Sequence, residues 1–354
     1  MASEGSAWGS RSGFILASVG FAVGLGNIWR FPYVTGENGG SAFVLIYLLC
    51  AFGIGVPILM AEFLLGRRAQ RSPPFALAAI AQESGRSEKW SWVGKLTILT
   101  AFSILMSYAV VAGWVLYYFF LALTGNMLAS SSTQSQSAFN NLLADPLALV
   151  FWGGVSLVSA ALIIAAGVQQ GIERAVKVLM PMLFALLVLL MVFNVFTGGM
   201  PQALDYLFTP DFSKVDGSTF LAALAQAFFS IGVAMAGMMM FGAYLPKTIS
   251  IAQSAVIIVA ADTVVALLAG LVIFPMVFHN GLDVGAGTGL IFQTLPVAFA
   301  RMDGGAAVGA VFFLLLCVAA ITSIVGLSEP VTGYVAERWQ LSRRRATLAM
   351  FGTL

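Results

Sequence analysis

The sequence of 354 residues is poor in charge. Asp, Glu, Lys and Arg make up 9% of it, whereas soluble domains carry roughly 25%. Apolar residues account for 60% of the chain. A chain with so few charges and so many apolar side chains is predicted to be an all-α polytopic membrane protein surrounded by a lipid bilayer. The formal net charge of +2 gives no reason to propose nucleic acid as a partner.

Cysteine and histidine are nearly absent, which excludes several kinds of site. The two cysteines, Cys50 and Cys317, lie in apolar runs, so we interpret them as small core residues rather than as a disulfide. The single histidine, His279, cannot build a multi-histidine metal site. We find no nucleophile–base arrangement, and Trp29 stands where a dinucleotide-binding glycine pattern needs its third glycine. We therefore expect no enzyme and no organic cofactor.

Apolar runs long enough to cross a membrane are what the sequence does contain. With the N-terminus inside, only Arg30, Lys214 and Arg301 of the 17 basic residues fall on the outer side, in line with the excess of Lys and Arg in cytoplasmic loops. The first run is too long for a cleaved signal. We predict eight spans and the start of a ninth, in which the chain stops; the runs begin near Gly13, Ser41, Leu96, Leu147, Val178, Thr219, Ile251, Ala306 and Ala346.

Two of these runs are interrupted by glycine. The first, residues 13–40, holds Gly24 and Gly26 beside Asn27. Unwound backbone frees carbonyl oxygens, which together with an Asn oxygen suit a small hard cation. A kinked span whose glycines allow close helix packing is the alternative. The second interruption, residues 226–237, lies five spans later, so the two cross in opposite directions, and such a pair predicts an inverted repeat with a site at the membrane midplane.

Ionisable and hydroxyl side chains inside other runs mark further candidates. Asp262 must be protonated, paired or bound to a cation if it is buried in the membrane. Glu62 is expected to bond to unwound backbone nearby. Tyr108, taken alone, is more typical of packing than of a ligand contact. The adjacent hydroxyls of Thr322 and Ser323 are as typical of bonds back to the preceding helical turn as of an ion site.

The chain resembles the neurotransmitter:sodium symporters in three segments: Gly20–Pro32 (GFAVGLGNIWRFP), Glu37–Gly40 and Glu329-Pro330. The resemblance covers nearly the whole chain and implies the inverted-repeat leucine-transporter fold, with broken first and sixth helices. It also implies a sodium-coupled secondary symporter that imports an amino acid by alternating access. A sodium-dependent amino-acid sensor or a channel-like membrane protein without coupled transport is the alternative.

The same resemblance implies how the chain is divided and where it resides. Residues 1–196 would form the first repeat with spans 1–5, residues 197–217 an extracellular loop, and residues 218–354 the second repeat with spans 6–8 and the start of span 9. Because the chain has no Asn-x-Ser/Thr sequon and only a short loop at residues 125–146, it resembles prokaryotic members. We expect a multi-pass protein of the prokaryotic inner (plasma) membrane with a cytoplasmic N-terminus, and the oligomeric state stays open.

Two sodium ions are implied by the resemblance, each held by oxygen ligands as hard cations prefer. The first would bind the substrate carboxylate, the carbonyl of Ala22 and the side chains of Asn27, Ser230 and Asp262. The second would bind the carbonyls of Gly20, Val23 and Ala319 and the hydroxyls of Thr322 and Ser323.

The implied substrate contacts lie on the two broken helices and on spans 3 and 8: Phe21, Ala22, Leu25, Gly26, Ile104, Tyr108, Phe229, Ser230, Gly232, Met235, Ser323 and Leu327. Arg30 and Phe229 would belong to the outer gate, and Trp8 and Glu337 to the inner gate.

Specificity follows from differences between this chain and its relatives. Relatives that carry monoamines place an Asp at the position of Gly24, so here the negative charge is expected from the α-carboxylate of the substrate. The pocket, including Val233, is otherwise apolar, and we expect hydrophobic L-amino acids. Ala266 stands where animal relatives use a Ser to bind chloride, while Asp262 supplies a fixed negative charge, so we expect chloride independence.

Three further features depart from the family pattern or are specific to one segment. The Arg expected at the inner gate is Gly5 here, so Glu337 must find another partner or none. The turn into the fifth span is expected at Gly171-Ile172-Glu173-Arg174. Gly171 and Pro181 give that span a place to open, although packing could equally explain the two residues. The acidic partner of Arg30 normally comes from a tenth span, so we expect the chain to be C-terminally incomplete.

Overall fold

The computed structural model describes residues 8–127, 129, 131–196, 198–285, 287–302 and 304–354. Regular structure in these ranges is helical, which confirms the predicted class. The first half of the chain forms α1 (Arg11–Ala22), α2 (Gly26–Glu37), α3 (Ser41–Ala69), α4 (Pro73–Glu83), α5 (Glu88–Leu123), α6 (Ser132–Leu143), α7 (Pro146–Ala165) and α8 (Val168–Val195). The second half forms α9 (Met200–Phe208), α10 (Gly217–Ile231), α11 (Gly237–Ala243), α12 (Ile251–His279), α13 (Leu290–Ala300), α14 (Gly305–Trp339) and α15 (Arg343–Phe351).

Among the described helices, six are long and apolar enough to cross a membrane: α3, α5, α7, α8, α12 and α14. α1 and α2 together make a seventh span, which is bent by 45° at the break between them. α10 is apolar but shorter, and residues 232–236 separate it from α11. The first and sixth spans are therefore the broken ones, as the glycine pattern predicts.

The predicted boundary of the fifth span is wrong. Residues 171–174 do not form the turn but lie inside α8, where Val168–Glu173 is a π-helical segment. The turn falls at Gly167, whose φ of 96° and ψ of −178° belong to a region that is essentially restricted to glycine. A Cβ on Gly171 would lie 2.0 Å from the carbonyl oxygen of Ile163, so close packing against α7 explains that glycine. The chain is helical from Gly171 to Pro181, so this span is closed here.

The core is organised around α14, which contacts α1, α5, α7 and α8. Its side chains are buried almost continuously from Leu315 to Thr332. Large apolar side chains that remain exposed, such as Leu147 and Leu162 on α7, face outward as expected for a helix in lipid. Because the broken first span contacts both α12 and α14, and α10 contacts α3, both breaks lie inside the bundle.

Candidate functional site

The break in the first span exposes backbone groups in the middle of the bundle. α1 ends at Ala22, and Val23 is extended, with φ −73° and ψ 104°. The Val23 N–H still donates to the Val19 carbonyl, but the carbonyls of Gly20, Phe21 and Ala22 have no partner within the helix. Beyond the break, the Gly24 N–H donates to Asn27 Oδ1 at 3.1 Å, and the Leu25 N–H donates to the hydroxyl of Tyr108 at 2.8 Å. The interruption predicted from the glycines is confirmed.

The break in the sixth span is held by a carboxylate from another helix. Gly232 ends α10 in the left-handed region, and Ala234 and Ala236 both have φ of 62°. Alanine rarely adopts this conformation because its Cβ crowds the backbone, so the surroundings must hold it. Glu62 Oε1 on α3 accepts a hydrogen bond of 2.6 Å from the Ala234 N–H. The prediction that Glu62 bonds to unwound backbone is confirmed.

The first predicted sodium cluster brings together α2, α10 and α12. Asp262 is fully buried, and its carboxylate accepts hydrogen bonds from Asn27 Nδ2 and from Ser230 Oγ, both at 2.7 Å. The hydroxyl of Tyr47 lies 3.4 Å from the same carboxylate. These partners are neutral, so the buried negative charge offers a place for a cation. A carboxylate, a hydroxyl and an amide are oxygen donors of the kind that sodium takes.

The amide of Asn27 is turned away from the role that the resemblance implies. Its nitrogen faces Asp262 and Ser230, and its oxygen accepts from the Gly24 N–H. For Asn27 Oδ1 to ligate a cation between Asp262 and Ser230, the amide must rotate and release Gly24. Sodium binding at this cluster would therefore also change the hydrogen bonding of the broken segment.

The second predicted sodium cluster joins α1 to α14. Thr322 Oγ1 donates back to the carbonyls of Val318 and Ala319, at 3.0 and 3.1 Å, as hydroxyls in helices commonly do. This bond uses the hydroxyl hydrogen and leaves oxygen lone pairs for a cation. Ser323 lies directly against the break, since a Cβ on Gly24 would sit 2.1 Å from Ser323 Oγ. The arrangement fits both readings of these hydroxyls, the helix back-bond and the ion ligand.

A cavity of about 30 Å³ lies between the two clusters. Of the twelve predicted substrate contacts, all but Leu25 and Ser230 line it. Gly24 also lines the cavity but was predicted as part of the helix break and as the position that lacks an Asp, not as a substrate contact. Val233, expected in the pocket, is buried and is not among the described residues that line this cavity.

A second cavity, of about 490 Å³, begins on the other side of Phe229 and is lined by Leu25, Gly26, Trp29, Arg30, Tyr33, Ser103, Ile104, Ser107, Tyr108, Val111 and Phe229. The Arg30 guanidinium lies 5.2 Å from the centroid of the Phe229 ring. Arg30 also donates to Gln226 Oε1, and Gln226 Nε2 donates to the Gly26 carbonyl at 2.9 Å. The predicted outer-gate residues thus lie together where the two cavities meet. Ser107 and Val111 were missed, although helical spacing from Ile104 and Tyr108 indicates that face of α5.

Trp8 closes the opposite end of the first span. It is 5% exposed, and its indole N–H donates to the Phe241 carbonyl at 3.1 Å. Its backbone N–H donates to the Tyr244 carbonyl at 3.3 Å, and its ring packs against that of Phe14. The indole thus connects the start of α1 to α11, the helix that follows the break in the sixth span.

Two carboxylates secure the same end of the bundle. Glu173 on α8 accepts from the Gly9 N–H at 2.9 Å and from Ser10 Oγ at 2.7 Å, and it pairs with Lys177 at 2.7 Å. Glu337 on α14 pairs with Arg71 at 2.7 Å. Gly5, the position where the inner-gate Arg was expected, lies outside the described residues. Sequence reasoning missed the Glu173 contacts, because they join positions more than 160 residues apart.

A buried ion pair was also missed. Glu329 is fully buried on α14, and its carboxylate pairs with the Arg343 guanidinium at the start of α15. One Glu329 oxygen lies 3.0 Å from Arg343 Nη1 and also accepts from the Tyr244 hydroxyl at 2.8 Å. The sequence identified Glu329 only as part of a motif. A carboxylate this deep in a membrane span indicates that a partner is needed, but it does not identify the partner.

Comparison with known proteins agrees with this arrangement. The model of the Sodium:neurotransmitter symporter family matches residues 5–142 and 149–353. An uncharacterized sodium-dependent transporter of Bacillus subtilis (strain 168) is 36% identical over 96% of this chain and 74% of its own length. Another, from Methanocaldococcus jannaschii, is 33% identical over 98% of this chain and 73% of its own length.

A solved structure supports the same relationship. The crystal structure of MhsT in complex with L-phenylalanine matches with a TM-score of 0.90 and 40% identity, over 98% of this chain and 78% of that one. The leucine-transporter fold predicted from the sequence is thereby confirmed. The chain therefore belongs to the sodium:neurotransmitter symporter family of sodium-dependent membrane transporters.

Proposed function

We propose that this protein imports hydrophobic L-amino acids by sodium-coupled symport with alternating access. The observation that carries the proposal is the small cavity between the two oxygen clusters. None of the described residues that line it is charged, and most of them are apolar. An acidic or basic substrate side chain would be buried there without a partner, at a cost of several kcal/mol. The solved relative MhsT, which holds L-phenylalanine, supports this substrate class.

The polar end of the substrate has a suitable place beside the first break. The hydroxyl of Tyr108 lies at the Leu25 N–H, and Gly26 lines the cavity at the start of α2. A helix N-terminus favours an anion, so the α-carboxylate would lie between Tyr108, Gly26 and the first sodium. Gly24 carries no charge that could replace this carboxylate. The proposal therefore favours amino acids over amines.

We assign one sodium ion to the cluster of Ala22, Asn27, Ser230 and Asp262. A second is assigned to that of Gly20, Val23, Ala319, Thr322 and Ser323. Each ion gains about 2.3 kcal/mol from a potential of 100 mV and about 1.4 kcal/mol from a tenfold gradient. Two ions would supply roughly 7 kcal/mol for concentrating the substrate.

The proposal includes chloride independence and an orientation. Asp262 places a carboxylate at the first cluster, and Ala266, one turn further on α12, has no group that binds an anion. The excess of basic residues supports a cytoplasmic N-terminus in a prokaryotic inner membrane. On this reading Trp8 lies at the inner gate and Arg30 at the outer gate, and residues 1–196 and 218–354 belong to the two inverted repeats.

The decisive experiment uses the purified chain in vesicles. Leucine, phenylalanine and tryptophan should bind only with sodium, and glutamate, lysine and dopamine should not compete with them. Vesicles loaded with unlabelled leucine should accumulate labelled leucine by counterflow, also when gluconate replaces chloride. Sodium-dependent binding without counterflow would identify a sensor instead, and uptake that requires chloride would contradict the role of Asp262.

A further inference from the structure

The ring of Phe21 is enclosed by three glycines from separate segments. A Cβ on Gly232 would lie 2.7 Å from Phe21 Cε1, one on Gly237 2.5 Å from Cζ, and one on Gly326 2.3 Å from Cδ2. Carbon atoms that are not bonded to each other do not approach so closely, so the ring fits only because these residues have no Cβ. The ring of Phe241 packs edge-on against it, with centroids 5.9 Å apart.

The remaining side of the Phe21 ring faces the substrate cavity, which it lines. Backbone blocks the ring at the three glycines, and backbone yields less readily than the end of a flexible side chain. Because a close-packed interior transmits such a displacement, a group added behind the ring must push it toward the cavity. The volume left for the substrate side chain therefore depends on residues behind Phe21.

We propose that Gly326 and Gly237 are specificity-determining residues that act through Phe21 without touching the substrate. Neither glycine is among the described residues that line the two cavities. By holding the ring clear of the cavity, they set the size of the largest hydrophobic side chain that the pocket takes. This inference rests on the proposed function, because it concerns selection among hydrophobic amino acids.

The test is the ratio of affinities for tryptophan and valine, measured by competition against labelled leucine on the purified chain at saturating sodium. One methyl group in an apolar pocket changes discrimination by roughly tenfold or more. Gly326→Ala is expected to lower the preference for tryptophan by about that factor, with little change for valine. Gly237→Ala adds its methyl on another side of the same ring and should act in the same direction.

Gly333→Ala is the matched control. It makes the same change on α14, two turns from Gly326, but its Cβ would meet the flexible end of Met240, 2.2 Å from Cε. Met240 can turn aside, so the tryptophan-to-valine ratio should stay within about twofold of the wild type.

The double variant Phe21→Leu/Gly237→Ala shows whether the ring carries the effect. A methyl on Gly237 would meet Cζ, Cε1 and Cε2 of the Phe21 ring, which leucine lacks, so Gly237→Ala should not change the ratio in the Phe21→Leu background. An equal change in both backgrounds overturns the inference, and so does a uniform loss of affinity across the panel.

Two further outcomes are separable. If neither alanine variant folds, Phe21→Leu alone decides, because it must raise the ratio for tryptophan; an unchanged ratio overturns the inference. If the wild type binds none of these amino acids in the presence of sodium, the proposed function itself is overturned. The wild-type measurement alone decides this, without the variants.

Discussion

Glu337 pairs with Arg71, with Oε1 and Nε 2.7 Å apart, so a basic residue just after α3 holds the carboxylate at the end of α14. The other oxygen of Glu337 accepts from the N–H and the hydroxyl of Ser72, at 2.9 and 2.6 Å. The sequence predicted that Glu337 would have a new partner or none, because Gly5 replaces the usual Arg. The end of α14 is thus fastened to the α3–α4 connection.

Breaking this pair should weaken substrate binding slightly. Arg71 is about half exposed, and exposed pairs contribute about 0.2–1 kcal/mol. Arg71→Ala is expected to favour opening at this end and to raise the Kd for leucine with sodium by up to about fivefold. Arg68→Ala, which breaks the more exposed Arg68–Glu83 pair at 2.9 Å, is the control and should leave the Kd unchanged. Equal effects of the two variants would contradict a gating role for Glu337.

Removing the hydroxyls of Thr322 and Ser323 should reduce the affinity for sodium. A ligand present at a hundred times its Kd stabilises a folded protein by about 2.7 kcal/mol. In Thr322→Ala/Ser323→Ala we expect the sodium-dependent rise of the unfolding temperature, measured without substrate, to require at least about tenfold more sodium. The control is Ser328→Ala/Thr332→Ala, whose buried hydroxyls on the same helix have no hydrogen-bond partner among the described residues. An unchanged sodium titration in the first variant would rule out the second ion site.

Neutralising Asp262 should lower the affinity for sodium more than removing the hydroxyls of Thr322 and Ser323 does. Asp262→Asn keeps the shape of the side chain but removes the charge at the first cluster, and breaking a buried charge interaction costs about 3–5 kcal/mol. We expect sodium affinity, read from leucine binding, to fall by at least about 100-fold. Ser254→Ala on the same helix removes only a bond back to the Ser250 carbonyl, 2.7 Å long, and serves as the control. Sodium dependence that survives in Asp262→Asn would place the ion elsewhere.

Glu62 should matter for stability more than for the choice of substrate. Its hydrogen bond to Ala234 holds a segment that contains two alanines with positive φ. A hydrogen bond to a charged group contributes about 1.5–3 kcal/mol, so Glu62→Ala should lower the unfolding temperature clearly. Glu62→Gln keeps an acceptor oxygen and should lower it less. The test is thermal unfolding in detergent, and equal losses in both variants would show that the hydrogen bond is not what counts.

Much of the fold could be predicted because a polar, ionisable or helix-breaking residue inside a membrane span is costly, so each such residue indicates a structural or functional role. Asn27, Asp262 and the glycines of the two breaks are costly in a plain span, and their order along the chain resembles one family. Both breaks and the Glu62 contact followed from that cost. The predicted turn at Gly171 was wrong because a glycine that permits close packing and one that permits a turn look alike in a sequence.

Contacts between distant positions could not be predicted in the same way. Ser10 and Glu173 are 163 residues apart, and Arg71 and Glu337 are 266 apart. Periodicity indicates which face of a helix is buried, but it does not tell which partner that face meets. The closeness of Gly326 to Phe21 is of this kind, since it depends on how two helices lie against each other.

We expect the pairing of Glu329 with Arg343 to affect how the chain is inserted during synthesis. A charged side chain at the centre of a span costs about 3 kcal/mol on insertion scales, and Glu329, fully buried in the last third of α14, carries part of that cost. Arg343 follows 14 residues later, and only residues 340–342 separate the two helices. Because acid and base are so close in sequence, we expect them to pair while α14 is being inserted, so that the carboxylate does not meet lipid alone. α14 would then enter the bilayer together with the start of α15.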